Sequence, residues 1–200
     1  MEQLAISYYP ESGIFDHSHQ KSYYDGDDMT EKIIKDLEIL TRTPAIVASM
    51  VEGLSDTWTQ VDEGDGTWNA YEIVGHFVFG EETDWIPRAQ IILEHGEARP
   101  FTPFDRTGFV KYIGKPISEL LSIFHELRKK NVEKLKEMNL TDEQLELTGI
   151  HPEFGQVTLG QLISAWVVHD LGHIAQIARV MAKVHKDSAG PWAKYLPILD

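Results

Sequence analysis

The chain has 200 residues, of which 42% are hydrophobic and 25% are charged, and this composition is typical of one globular domain and not of a disordered chain. Its 18 basic and 32 acidic residues give a formal net charge of -14, which argues against binding to nucleic acid or to an anionic membrane surface. Because the chain has no cysteine, any metal ion must be held by histidine or carboxylate side chains.

No apolar run reaches the roughly 18 residues of a membrane span, and the start of the chain lacks the pattern of a signal peptide. We therefore expect a cytoplasmic protein with no membrane partner. The densest basic group is interrupted by glutamates, so we interpret it as the solvated face of a helix and expect no nucleic-acid partner. This group consists of Arg128, Lys129, Lys130, Lys134 and Lys136.

Residues 1–29 show no helical period but are rich in aromatic side chains. We predict that they form an irregular N-terminal arm lying on the domain formed by residues 30–200. Two histidines in the arm, His17 and His19, are interpreted as solvent-exposed and are left out of the predicted site.

The first predicted helix runs from Thr30 to about Gly53, and Pro44 marks either a kink or a second helical start. The second begins after Asn69, where Glu72 completes a capping-box pattern, and extends to about residue 94. Within it, Pro87 predicts a kink about one turn earlier.

Residues 96–114 are predicted to form a long connection. A third helix begins at Pro116 and ends near residue 138. A capping box of Thr158 and Gln161 opens a fourth helix that reaches about Lys183. Strand patterns are sparse, so the sequence predicts an all-α four-helix bundle.

His169 and His173 lie four residues apart in the fourth helix, on a face that also contains Leu162, Trp166 and Val180. This spacing places both imidazoles side by side and toward the core, where neutral imidazole is a good metal ligand. A pair of histidines at this spacing is also common without a metal ion, so a third ligand is needed.

His76 is the candidate third ligand, because it lies among apolar residues of the second helix. Gly75 and Gly80 beside it leave room either for a ligand or for close contact between helices. The alternative interpretation of His76 is a core histidine bonded to a backbone carbonyl group.

The surrounding side chains do not identify a general base. Four acidic residues lie near the histidines in sequence, but none follows their helical face closely: Glu81, Glu82, Asp84 and Asp170. We interpret Asp170 as a capping or surface charge, since it points about 100° away from His169 on a helix. Gln176 is better placed to contact a ligand or a substrate. Phe77, Trp85 and Trp166 are assigned to core packing, and the surface or loops are predicted for His95, His125, His151 and His185.

Two segments resemble the hallmarks of the DinB-like superfamily: WNAYEIVGH, from Trp68 to His76, and WVVHDLGHIAQI, from Trp166 to Ile177. The ending Gly190, Pro191, Trp192, Tyr195 and Leu196 is also similar to that of the family. The resemblance implies an antiparallel four-helix bundle, often a homodimer, in which His76, His169 and His173 bind zinc, nickel or a similar divalent ion.

Three histidine ligands would leave coordination positions open, as in a catalytic metal site. The resemblance then leaves three functions open. The protein is a metal-dependent hydrolase acting on a small molecule, or a transferase that uses a low-molecular-weight thiol such as bacillithiol, or a non-catalytic metal-binding module connected with stress.

Overall fold

The computed structural model describes residues 29–200. Their α-helices are α1 (Glu31–Leu40), α2 (Thr43–Val51), α3 (Asp56–Thr59), α4 (Ala70–Thr83), α5 (Trp85–His95), α6 (Ile117–Glu137), α7 (Asp142–Leu145) and α8 (Leu159–Ala182). Short 3₁₀ turns lie at Gly96–Ala98, Gly108–Tyr112, Lys183–His185, Gly190–Tyr195 and Pro197–Leu199. The predicted arm, with His17 and His19, lies outside the described residues except for Met29, which packs against the core.

Four helical columns form the bundle: α1 with α2, α4 with α5, α6 alone and α8 alone. The four-helix bundle predicted from the sequence is therefore confirmed. Two groups of buried side chains fill it, one packed mainly around α1, α5 and α8, the other mainly around α4, α6 and α2. Within residues 29–200, no helix combines the length and the apolar character that a membrane span requires.

Proline residues divide two of the columns. Pro44 lies in the first turn of α2, so it marks a second helical start. The second column breaks at Asp84, whose φ of -110° and ψ of -72° end α4, three residues before Pro87. Proline has no N–H to donate to the carbonyl group four residues earlier, which explains why the helix is interrupted at this point.

Arg128 of α6 lies at the centre of a buried polar network. Its guanidinium donates to Glu81 Oε1 at 2.7 Å, to Asp170 Oδ2 at 2.5 Å and to the Leu40 carbonyl oxygen at 3.0 Å. Asn131 Nδ2 also donates to Glu81 Oε2, at 3.0 Å. The network therefore joins α1, α4, α6 and α8.

The surface positions predicted for Asp170 and Arg128 are wrong. Asp170 is 0% exposed and Arg128 is buried between the rings of Phe124 and Trp166. The physical reason is that each charge finds its compensation inside the bundle, on a different helix, where a buried ion pair is tolerated. The other four members of the basic group lie on helix α6, as predicted: Lys129, Lys130, Lys134 and Lys136.

A two-stranded hairpin interrupts the otherwise helical fold, and the sequence analysis did not predict it. Strand β1 (Thr148–His151) pairs antiparallel with β2 (Gly155–Thr158). The hairpin is fixed to the bundle because the Phe101 N–H donates to the Ile150 carbonyl oxygen at 2.9 Å. A Cβ atom on Gly149 would lie only 2.8 Å from Ile92 Cγ1, so the strand approaches α5 as closely as glycine permits.

Candidate metal centre

Three histidines from two helices converge inside the bundle. His76 of α4 is 6% exposed, and His169 and His173 of α8 are half-buried. His76 Nε2 lies 2.9 Å from His169 Nε2. One ring nitrogen of each histidine lies within 4.8 Å of the corresponding nitrogen of the other two, so the three imidazoles form a group that can hold one ion.

The local sequence explains this convergence. His169 and His173 are one helical turn apart on the inner face of α8, and their ring centroids are 4.4 Å apart. The two glycines of α4 have separate functions. A Cβ atom on Gly75 would lie 3.4 Å from Phe109 Cβ, so Gly75 permits close packing, whereas Gly80 lines the cavity in front of the histidines.

Burial keeps the imidazoles of His76 and His173 neutral. Burial, and then the neighbouring His169 and His173, lowers the pKa of His76 to about 2. Burial and His169 lower the pKa of His173 to about 4, against the opposing effect of the hydrogen bond to Gln176. At neutral pH both side chains therefore offer an unprotonated nitrogen, which is the form that binds a metal ion.

Gln176 orients one of the three rings. His173 Nδ1 lies 2.8 Å from Gln176 Oε1, which can only accept a hydrogen bond, so Nδ1 carries the proton and Nε2 presents its lone pair. Gln176 thus contacts the ring of a candidate ligand, one of the two contacts predicted for it. Asp170 has no such role at the neighbouring ring, because its Oδ1 lies 3.7 Å from His169 Nδ1, beyond hydrogen-bond distance.

A divalent ion fits this donor set. The Nε2 atoms of His76 and His169 face each other at 2.9 Å, and two nitrogen lone pairs at that distance require a proton or a cation between them. The Nδ1 atoms of both rings have no hydrogen-bond partner among residues 29–200. His76, His169 and His173 would hold such an ion, and three imidazole ligands would leave it further coordination positions.

The histidines form the floor of a cavity of about 430 Å³, here called the histidine cavity. Aromatic rings form much of its wall. The ring centroids of Trp68 and Phe104 lie 4.6 and 5.5 Å from that of His76. The ring centroid of Trp85 lies 5.0 Å from that of His169. Neither Trp68, although it begins one of the family-like segments, nor Phe104 was predicted at the site, because both lie outside the helices, where no periodic pattern shows which way a side chain points.

Asp84 is the acidic residue at the helix break that lines this cavity. Its Oδ1 lies 2.6 Å from Arg88 Nε, and burial raises the pKa of its carboxyl group in spite of that positive neighbour. The three other acids considered from the sequence are engaged elsewhere, Glu81 and Asp170 with Arg128 and Glu82 with Lys111.

The remaining aromatic and histidine predictions are largely confirmed. Trp85 and Trp166 are buried and stack at 5.7 Å, although Trp85 also lines the histidine cavity. His95, His125 and His185 are exposed. His151 differs, because it lies on β1, is half-buried and faces the same cavity.

Comparison with known proteins agrees with this architecture. A model of the DinB superfamily matches residues 39–177, so the chain belongs to that superfamily. A similar solved structure is that of YfiT from Bacillus subtilis, described as a probable metal-dependent hydrolase with an unusual four-helix bundle topology. The two are 23% identical, with a TM-score of 0.67 over 78% of this chain and 90% of YfiT. A search of the curated proteins finds no match.

Proposed function

We propose that this protein is a divalent-metal-dependent hydrolase of a small molecule, with the ion held by His76, His169 and His173. The observation that supports the proposal is the convergence of three histidine ring nitrogens within 4.8 Å of one another at the floor of an open cavity. The described hydrolase character of YfiT, a protein of similar fold, agrees with it. Zinc and nickel are the ions we expect for an all-imidazole donor set.

The protein's own residues supply the rest of the site. Hydrolysis adds water across a bond, so one group must accept a proton from water and return it to the leaving group. Asp84 lines the cavity and burial raises the pKa of its carboxyl group, so it is the carboxylate of this cavity that we propose accepts and returns the proton. Arg88, 2.6 Å away, keeps this carboxylate in place.

A bound divalent ion would supply Lewis acidity to a carbonyl group and lower the pKa of water. Trp68, Trp85 and Phe104 exclude bulk water from the walls of the cavity, which strengthens electrostatic interactions inside it. Gln176 fixes the orientation of the His173 ring, as hydrogen bonds to the outer nitrogen of a ligand histidine generally do.

The first experiment is elemental analysis of the purified protein before and after dialysis against a chelator. We expect about one divalent ion per chain in the native protein and none in His76→Ala. His125→Ala is the matched control, since His125 is exposed on α6 and should leave the metal content unchanged. Absence of metal from native protein, even after reconstitution with zinc and nickel, would contradict the proposal.

The second experiment measures turnover of a panel of esters and amides by the metal-loaded protein. Hydrolysis without added thiol, abolished by the chelator, is the expected result. Conversion that requires a low-molecular-weight thiol and an electrophile would instead favour a transferase. If the protein converts neither the esters and amides nor the thiol with its electrophile, the result would favour a binding module without turnover.

We also propose that the protein forms a homodimer, as its family resemblance implies. One chain has a mass of 22.8 kDa. Light scattering should therefore give twice that mass, and a value for a single chain at all concentrations would contradict the dimer.

A further inference from the structure

A second cavity lies under the β1–β2 hairpin, directly beside the histidine cavity. Its volume is about 340 Å³, and it is here called the hairpin cavity. Five residues line both cavities, so the two share one wall: Asp84, Trp85, Arg88, His151 and Phe154. The rest of the hairpin cavity is mainly apolar, formed by Phe101, Val157, Leu162 and Ala165.

The charges in the shared wall neutralise each other. Arg88 Nε lies 2.6 Å from Asp84 Oδ1, and its Nη2 donates to the Thr102 carbonyl oxygen at 3.3 Å. The guanidinium also lies 5.2 Å from the centre of the Phe101 ring. The positive and negative charges of the shared wall therefore compensate each other, which favours a neutral group of a ligand beside them.

One polar atom of each uncharged polar side chain in the hairpin cavity is bonded within the protein. His151 Nδ1 accepts hydrogen bonds from the backbone N–H groups of Glu153 and Phe154, at 3.1 and 3.3 Å. Gln161 Oε1 accepts one from the Thr158 N–H at 3.0 Å. Because most of the lining is apolar, burial of apolar surface is the main interaction that this cavity offers a ligand group.

Phe154 lies at the solvent-exposed edge of the shared wall. Its ring stacks on that of His151 at 4.3 Å with an angle of 11° between them, yet the side chain is 73% exposed. The two stacked rings thus form a flat surface between the openings of the two cavities. An extended molecule that lies along this surface can reach into both cavities.

We propose that the hairpin cavity is the subsite for a neutral apolar group of the substrate, an alkyl chain or an aryl ring attached next to the bond that is cleaved. This inference rests on the proposed function, which places cleavage at the three histidines. Apolar cavities of about 150 Å³ bind benzene, so the hairpin cavity has room for a group larger than one ring.

The test uses linear alkyl hydroxamates, which bind divalent ions through their two oxygen atoms and extend a chain of chosen length. Affinities of acetohydroxamate, butanohydroxamate and octanohydroxamate for the metal-loaded protein are measured by calorimetry. We expect the affinity to rise roughly fourfold for each methylene that enters the cavity.

Ala165 is exposed on α8 and lines the hairpin cavity, so Ala165→Trp should obstruct the cavity. We expect this variant to keep the affinity for acetohydroxamate while losing most of the gain with chain length. Ala175→Trp is the matched control, an exposed alanine of the same helix that lines neither cavity. Val157→Trp fills the cavity from β2 and gives an independent result if one variant fails to fold, which circular dichroism reports.

The outcomes separate the two proposals. If the metal-loaded protein does not bind acetohydroxamate at all, the proposed function fails and the apolar subsite falls with it. If acetohydroxamate binds but the affinity does not depend on chain length, the proposal of an apolar subsite is refuted while the proposed metal site is retained. Equal loss of long-chain binding in Ala165→Trp and Ala175→Trp would also overturn the subsite.

Discussion

Arg128 and Asp170 form an ion pair, 2.5 Å between Nη1 and Oδ2, that is buried in the bundle one residue from His169. Arg128 also neutralises Glu81 of α4, the helix that presents His76. The two helices that hold the candidate ligands are therefore joined through one guanidinium of a third helix. The spacing of the histidines depends on this link as well as on apolar packing.

Replacing Arg128 should strongly destabilise the fold. Arg128→Leu leaves two buried carboxylates without compensation, and we expect a loss of about 3–5 kcal/mol in the free energy of unfolding. Urea denaturation followed by circular dichroism measures it. Arg99→Leu is the control, since Arg99 is exposed, and its effect should stay within about 0.5 kcal/mol. A loss below about 1 kcal/mol in Arg128→Leu would contradict the structural role of the network.

Metal-free protein should lose stability as the pH falls from 7 toward 4. The folded-state pKa values of about 2 for His76 and about 4 for His173 lie below the ordinary value of 6.5. Below pH 6.5 the unfolded chain takes up protons that the folded chain refuses, so acid favours unfolding. By pH 4 the lowered pKa of each of these histidines reduces the free energy of unfolding by on the order of 3 kcal/mol.

Denaturation of the chelated protein at a series of pH values measures this effect. His173→Gln should flatten the dependence between pH 6.5 and 4, whereas His125→Gln, at an exposed position of α6, should not. An identical pH dependence in native protein and His173→Gln would show that the folded protein accepts the proton at this ring.

Gly149 and Gly172 should respond to alanine with opposite signs. A Cβ atom on Gly149 meets Ile92 and Phe101 at 2.8 and 3.1 Å, so Gly149→Ala forces the hairpin away from α5 and should cost about 1–3 kcal/mol. Gly172 in α8 has nothing within 4 Å, so Gly172→Ala should stabilise the helix by up to about 1 kcal/mol. Thermal unfolding compares them, and destabilisation by both would contradict the packing described.

Asp84→Asn tests proton transfer separately from metal binding. We expect the variant to retain its metal and to lose about 100-fold or more in the rate of hydrolysis. Glu153→Gln is the matched control, because Glu153 is the other carboxylate in the lining of the histidine cavity but is exposed. Full activity in Asp84→Asn would remove Asp84 from the mechanism.

Local signals in the sequence predicted much of the bundle. The capping boxes of Asn69 with Glu72 and of Thr158 with Gln161 are both formed, and they fix where the two histidine-bearing helices begin. Pro87 indicated the break in the second column. These features involve residues at most four positions apart, so the sequence contains their whole cause.

Features that depend on distant partners could not be predicted in this way. Asp170 reads as a surface charge until Arg128, 42 residues earlier, is placed beside it. The hairpin has strands of four residues, and its pairing depends on contacts of Gly149 with Ile92 and Phe101. Asp84 could not be distinguished from its acidic neighbours, because Pro87 predicts where the helix is disturbed but not the direction in which the disturbed turn points its side chain.

The break at Asp84 also divides the second column into segments that can change independently. The segment before it presents His76, while the segment after it, together with the hairpin, forms walls of the hairpin cavity. Substitutions in α5 or the hairpin can thus alter the shape of the hairpin cavity while α4, and with it His76, keeps its position. Such a division gives the fold a way to diversify in selectivity under selection while the group of three histidines is conserved.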